Sequence, residues 1–188
     1  VKAEEAECYF RDLLDATRKY CEDGKPLPFV IGAAFIDYFS KMVAGEDNKG
    51  SGYKDFIKKY LGKIRPAYAN FTYKNGKQDL HDQMWHVLRC GIVHSFSLIP
   101  DKSRLSQPGR NRSIALMHKK QADAEGWKHL CNYLGPQKLN AALFVAEDFI
   151  DDLIEVNKLI LSKAQADPCL KRNIEKWLNK HPPIKGGY

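Results

Sequence analysis

The stretch Pro28-Phe29-Val30-Ile31-Gly32-Ala33-Ala34-Phe35-Ile36-Asp37-Tyr38-Phe39-Ser40-Lys41-Met42-Val43-Ala44 decides the fold. Its apolar side chains cover nearly the whole circumference of a helix, and a helix that is apolar all round belongs in the middle of a bundle. Asp37 is its one acid. The reading assigns it to a neighbouring Tyr, Lys or backbone amide in preference to a chemical role.

Working outward, residues 4–22 predict an amphipathic helix with Phe10, Leu13, Leu14 and Thr17 at helical spacing. Asp23-Gly24-Lys25-Pro26 closes it. On the other side, residues 45–52 form a polar turn rich in Gly, Asn and Asp. A short helix follows, with Tyr53, Phe56, Ile57, Tyr60 and Leu61 on one face. Residues 66–76 read as irregular, with Asn75-Gly76 a turn signal. A further helix runs over 79–95. Helical periodicity then fails from 96 to 126, a stretch punctuated by Pro100, Pro108 and Gly109. Residues 113–118 and 127–134 predict two short strands paired as a hairpin. Asn140 is expected to cap a helix running to about residue 164. Glu147, Asp148, Asp151, Asp152 and Glu155 line its charged outer face. A basic helix over 168–180, anchored by Trp177 and Leu178, precedes a loose tail. The expectation is a mainly α helical bundle with a small β-hairpin insertion after the 79–95 helix. It is one domain over 1–188, with its core at roughly 5–165.

Composition narrows the function. The 188 residues suit one domain with a proper core, and 9 Tyr, 9 Phe and 3 Trp suit a globular chain. A net charge of +7 is compatible with a polyanionic partner. No apolar run reaches the ~20 residues of a typical membrane span, and the start lacks a signal-peptide pattern. No membrane partner is therefore expected, and a cytoplasmic location is. Cys8, Cys21, Cys90, Cys131 and Cys169 are odd in number, scattered, and form no Cys-x-x-Cys pair. That disfavours both a disulfide framework and a zinc knuckle. His81 and His86 stand five apart with no Glu at metalloprotease spacing. With no Walker loop, dinucleotide fingerprint or zincin motif, neither a metal nor a cofactor is expected.

The chemistry concentrates in Asp79-Leu80-His81-Asp82-Gln83-Met84-Trp85-His86-Val87-Leu88-Arg89-Cys90-Gly91-Ile92-Val93-His94-Ser95. Arg holds a phosphate by two parallel hydrogen bonds, and His moves a proton near neutral pH. On an α-helix turning ~100° per residue, Arg89 and His94 lie ~140° apart. With His86 at the centre of that arc, Asp82 and Arg89 fall to one side and Cys90 and His94 to the other. Met84, Trp85, Leu88, Gly91 and Ile92 take the opposite, core-facing side. Gly91 allows close approach of another backbone.

The stretch Leu88-Arg89-Cys90-Gly91-Ile92-Val93-His94-Ser95 resembles the Arg-x(4–6)-His signature of the HEPN superfamily (higher eukaryotes and prokaryotes nucleotide-binding domains). The resemblance implies a helical bundle and a metal-independent endoribonuclease or RNA-binding protein, of a defence or toxin-type system. Arg89 and His94 take the family's catalytic positions. It further implies a homodimer whose shared cleft holds both residues from both chains, with His86, Cys90 and Ser95 at the substrate. The expected products carry a 2′,3′-cyclic phosphate. Two positions depart from the family pattern. Cys90 stands where active members usually carry Asn, Asp or His, and Phe96 stands where one subgroup carries Tyr. The following basic stretch, with Lys102, Arg104, Arg110, Arg112, Lys119 and Lys120, suits either RNA backbone contact or a solvated loop. On the RNA reading Arg104, Arg110 and Arg112 join the substrate-binding set. The alternative is a catalytically inactive dimerisation or nucleic-acid-binding module, or a structural adaptor. The sequence names no protein partner.

Overall fold

The structure, a computed structural model, describes residues 3–21, 26–74, 76, 79–92, 112–134 and 140–182. Helix α1 (Ala3–Tyr20) lays Ala6, Phe10, Leu14 and Thr17 into the core. Leu13, expected with them, is 38% exposed.

Helix α2 (Leu27–Ala44) is the central helix the sequence predicts. Pro28 lies in its first turn, where the missing N–H has no helical partner to lose. Gly45 ends it at φ 72°, donating to the carbonyls of Lys41 and Met42 in the left-handed cap that glycine adopts without a Cβ penalty. Phe29, Ala33, Ile36, Phe39 and Met42 are buried. By length and composition α2 is long and apolar enough to cross a membrane, contrary to the expectation that no run is. Here it packs against α1, against helices over residues 50–56, 146–166 and 168–180, and against a π-helical segment over residues 84–92. At Gly32 a Cβ would stand 2.4 Å from Phe149 Cε1, so glycine lets the 146–166 helix close onto α2.

Residues 50–64 form α3 (Gly50–Phe56), a π-helical turn (Ile57–Leu61) and α4 (Gly62–Ile64). Tyr53, Phe56, Ile57, Tyr60 and Leu61 are all buried, as their spacing predicts. Within the expected irregular stretch, Pro66 opens a single helical turn, α5 (Ala67–Asn70). Gly76 adopts φ 78° and donates to the Tyr73 carbonyl, the turn that Asn75-Gly76 signals. Asn75 itself lies outside the described residues. Helix α6 (Leu80–Gln83) continues as a second π-helical segment, Met84–Ile92.

A small sheet follows. Strand β1 (Arg112–Met117) pairs in parallel with β3 (Asn140–Val145), and β2 (Asn132–Leu134) pairs antiparallel with β3, giving the order β1-β3-β2. The chain is thus mainly α with a small β element, as predicted, but the pairing differs from the expected hairpin. The first strand pairs with β3, whose residues the sequence pattern places in the next helix. The cause is burial. Ala141 to Val145 are covered on both faces, so the alternation that marks a half-buried strand is missing. Asn140 caps no helix; its Oδ1 accepts the Lys74 N–H at 3.3 Å. Helix α7 (Lys119–Glu125) occupies part of the stretch expected to lack helices, and the Glu147 carboxylate accepts its first N–H at 2.8 Å.

Helix α8 (Ala146–Ala166) runs back through the core against α1 and α2. Helix α9 (Pro168–Lys180) is capped by Asp167, which accepts the N–H groups of Cys169 and Leu170. Trp177 and Leu178 anchor it, as predicted. A main apolar core joins the helices to one face of the sheet, and a smaller one, with Met117, Ala122, Leu143 and Val145, lies on the other.

Candidate functional site

Trp85, His86, Arg89 and Cys90 sit on the π-helical segment, and this changes their geometry. Backbone bonds there run from i to i+5, so side chains five apart come nearer to alignment than the ~140° of an α-helix. Met84, Val87, Leu88 and Gly91 face the core. Asp82, His86, Arg89 and Cys90 are half-buried on the polar side, as predicted. Trp85 packs against the main apolar core, as its spacing predicts, but stays half-buried, with the Arg89 guanidinium over its ring at 4.7 Å. Gly50 makes room for it: a Cβ there would stand 2.9 Å from Trp85 Cε2. Tyr53 meets the same indole edge-on at 5.2 Å.

Arg89 is anchored a second time, from α2. Its Nε donates to Asp37 Oδ1 at 3.2 Å, and Asp37 Oδ2 takes Lys41 Nζ at 3.1 Å. Asp37 thus has the Lys partner the sequence suggests, together with an Arg it does not. Burial works against the charge on Arg89, but the Asp37 carboxylate outweighs it and holds the guanidinium above its usual value. The side chains remain about a quarter exposed, at 24% and 23%. Beside them Lys54 Nζ binds Asp82 Oδ1, and His86 Nε2 lies 3.8 Å from Asp82 Oδ2. Burial would raise the Asp82 carboxyl, yet Lys54 brings it below the ordinary range. Burial and the nearby Lys58 lower His81.

The structure therefore brings Arg89, His86 and Cys90 onto one polar shelf with Asp37, Lys41 and Trp85. His94, Ser95, Arg104 and Arg110 lie outside the described residues. Arg112 opens β1 opposite Asn140. Among the described residues, no group of three His, Cys, Asp or Glu is placed to hold a metal ion.

A second polar cluster has no counterpart in the sequence reading. Asp152, which helical spacing places on an outer face, is turned inward with its side chain 6% exposed. Arg65 grips it with Nε at 2.9 Å and a terminal nitrogen at 3.0 Å. Tyr68 Oη donates to Asp152 Oδ2 at 3.0 Å and lies 3.0 Å from His129 Nε2. Val145 N–H donates to His129 Nδ1 at 2.9 Å, which leaves the proton of the neutral ring on Nε2, facing Tyr68 and Asp152. Burial lowers the imidazole despite Asp152. It would raise the Asp152 carboxyl, but His129 and Arg65 outweigh it. With the His129 side chain 1% exposed there is no room for a substrate, so the cluster ties α5 and the sheet to α8. No spacing links residues 65, 68, 129 and 152; only the folded chain joins them.

A groove of about 440 Å³ between α1 and α2 is lined by Tyr9, Phe10, Leu13, Ile31, Phe35 and Tyr38, and no motif residue reaches it. No protein-family model matches the chain, and no curated protein or solved structure is detectably similar to it. Fold and site define a mainly α bundle with a small mixed sheet, carrying a doubly anchored guanidinium on a π-helical segment.

Proposed function

We propose that this is an HEPN-like protein acting on RNA at the Arg89–His94 site, as a metal-independent endoribonuclease working as a homodimer. The observation that carries the reading is the anchoring of Arg89. A guanidinium held at Nε by Asp37 and at its face by Trp85 has little rotamer freedom left to lose when it meets a phosphate. Arg89 also sits on a π-helical segment, a feature frequent at functional positions.

In the reaction, the ribose 2′-oxygen attacks the adjacent phosphorus and the bond to the 5′-oxygen breaks. The products are a 2′,3′-cyclic phosphate and a 5′-hydroxyl. His94 transfers a proton at the 2′-hydroxyl or the leaving oxygen, and Arg89 stabilises the charge on the pentavalent phosphate. General acid–base help contributes about 10²–10⁴-fold. The motif supplies one such His, His94, per chain, so a twofold dimer provides both acid and base.

A second reading, a non-cleaving RNA-binding module, is favoured by two observations. Asp37 already occupies Arg89 within its own chain, and a Cys90 thiol is a weaker hydrogen-bonding group than the polar side chains of active HEPN members. Incubation of single-stranded RNA with wild type, Arg89→Ala and His94→Ala in chelator separates them. Cleavage that both variants lose supports the enzyme. Salt-sensitive binding without cleavage supports the module. Neither activity removes both. Sedimentation showing only monomer removes the shared-cleft mechanism.

A further inference from the structure

Two lysines from distant parts of the chain meet at one aromatic ring. Lys59 Nζ lies 5.6 Å from the Tyr60 ring centre and Lys163 Nζ lies 5.0 Å from it. Lys59 and Tyr60 belong to the Ile57–Leu61 π-helical turn, Lys63 to α4, and Lys163 to the last turn of α8, against which both segments pack. Lys59 and Lys63 are exposed and Lys163 is half-buried, so the group is open to solvent. Like charges gathered in this way repel. Burial lowers the Lys163 ammonium, and Lys63 and Lys59 lower it further. Elsewhere the fold answers a lysine with a carboxylate, as at Lys41, Lys54, Lys119 and Lys158. Lys59, Lys63 and Lys163 have none among the described residues. Asp167, the acid that acts on the Tyr60 hydroxyl, turns its Oδ1 to the N–H groups that open α9. The C-terminal dipole of α8 favours a cation, but it is equivalent to about half a charge, against three. The π face of Tyr60 offsets part of the repulsion and leaves the positive charge in place.

We propose that Lys59, Lys63 and Lys163 together bind a phosphate group beside the Tyr60 ring. Lysine holds phosphate as a point charge, and one dianion accepts from several ammoniums at once and cancels their repulsion. The source is an RNA backbone or a free phosphate. The site shares no residue with the Arg89 shelf and stands or falls separately from it.

The test follows the lysine Cε–Hε signals by NMR while inorganic phosphate is added at constant ionic strength, set with chloride. The signals of Lys59, Lys63 and Lys163 should move together and saturate, while that of the exposed Lys128 stays in place. Lys163→Gln and, separately, Lys63→Gln should each weaken binding roughly tenfold. Lys163→Arg should retain it, and Arg89→Ala should leave it unchanged. Shifts no larger than that of Lys128, or an unchanged affinity in both glutamine variants, overturn the proposal. So does a response lost in Arg89→Ala and kept in the glutamine variants, which assigns the phosphate to Arg89. A 2′-O-methyl oligoribonucleotide, uncleavable because its 2′-oxygen is capped, then identifies the source. If it moves the same three signals, the site takes RNA backbone; if it binds and leaves them in place, the site takes a free phosphate.

Discussion

Replacing Asp152 by Ala probes the buried cluster that joins α5 and the sheet to α8. The substitution removes two hydrogen bonds from Arg65, one from Tyr68 and the electrostatic partner of His129. Arg65 is 39% exposed, so it turns toward water and its loss falls near the surface-pair value of about 0–1 kcal/mol. Tyr68 and His129 stand 3.0 Å apart, and His129 Nε2–H can donate to the phenol oxygen. The phenol proton is then left without an acceptor in a dry site, at a cost of about 1–3 kcal/mol. Together the loss is roughly 1–4 kcal/mol. For a chain of 188 residues at about 2–4 °C per kcal/mol, the melting temperature drops by roughly 2–16 °C. Urea unfolding should show a lower midpoint with an unchanged slope. In a double-mutant cycle with Tyr68→Phe, the two changes should fall short of additivity by about 1 kcal/mol, because the second removes the orphaned proton. A loss below ~1 kcal/mol, or strict additivity, refutes the account, since that is how an exposed pair behaves.

Three further outcomes follow from the same geometry. Gly32→Ala drives a Cβ to 2.4 Å from the buried Phe149 ring and should destabilise by about 1–3 kcal/mol; a neutral result in denaturant unfolding means that α8 yields more easily than its burial implies. His129 is held below its ordinary 6.5 by burial, so the unfolded chain takes up its proton first and stability falls as pH drops below about 6.5. The stability held by Asp152, whose value is depressed from 3.8, persists until much lower pH. His129→Gln should therefore flatten the stability profile between pH 7 and 5, and an unchanged slope assigns it elsewhere, His81 being the next group with a lowered value. Asp37→Asn, on the phosphodiester reading, should tighten RNA binding by removing a negative charge and lower kcat by loosening Arg89. Parallel changes in both constants would contradict that split.

Helices were legible where pattern and packing agree. The all-round apolarity of α2, the Tyr53-to-Leu61 face and the Trp177 and Leu178 anchors could be read because each helix buries the stripe that its own spacing displays. Strand β3 could not, because a strand covered on both faces shows no alternation and runs without a break into α8. At the site, residue types revealed that Arg89 is chemically equipped but not how it is held. The partners Asp37 and Trp85 depend on a π-helical turn and on the missing side chain of Gly50.

What the sequence determined by itself was a mainly α chain with one central apolar helix and a segment dense in ionisable groups. These follow from local periodicity and composition, which act over a few residues. Tertiary structure alone decided that Asp152 turns inward to Arg65, Tyr68 and His129, and that Asp37 holds Arg89. Hydrogen bonds and ion pairs join groups far apart in the chain, and only the burial of the whole core settles which of them meet.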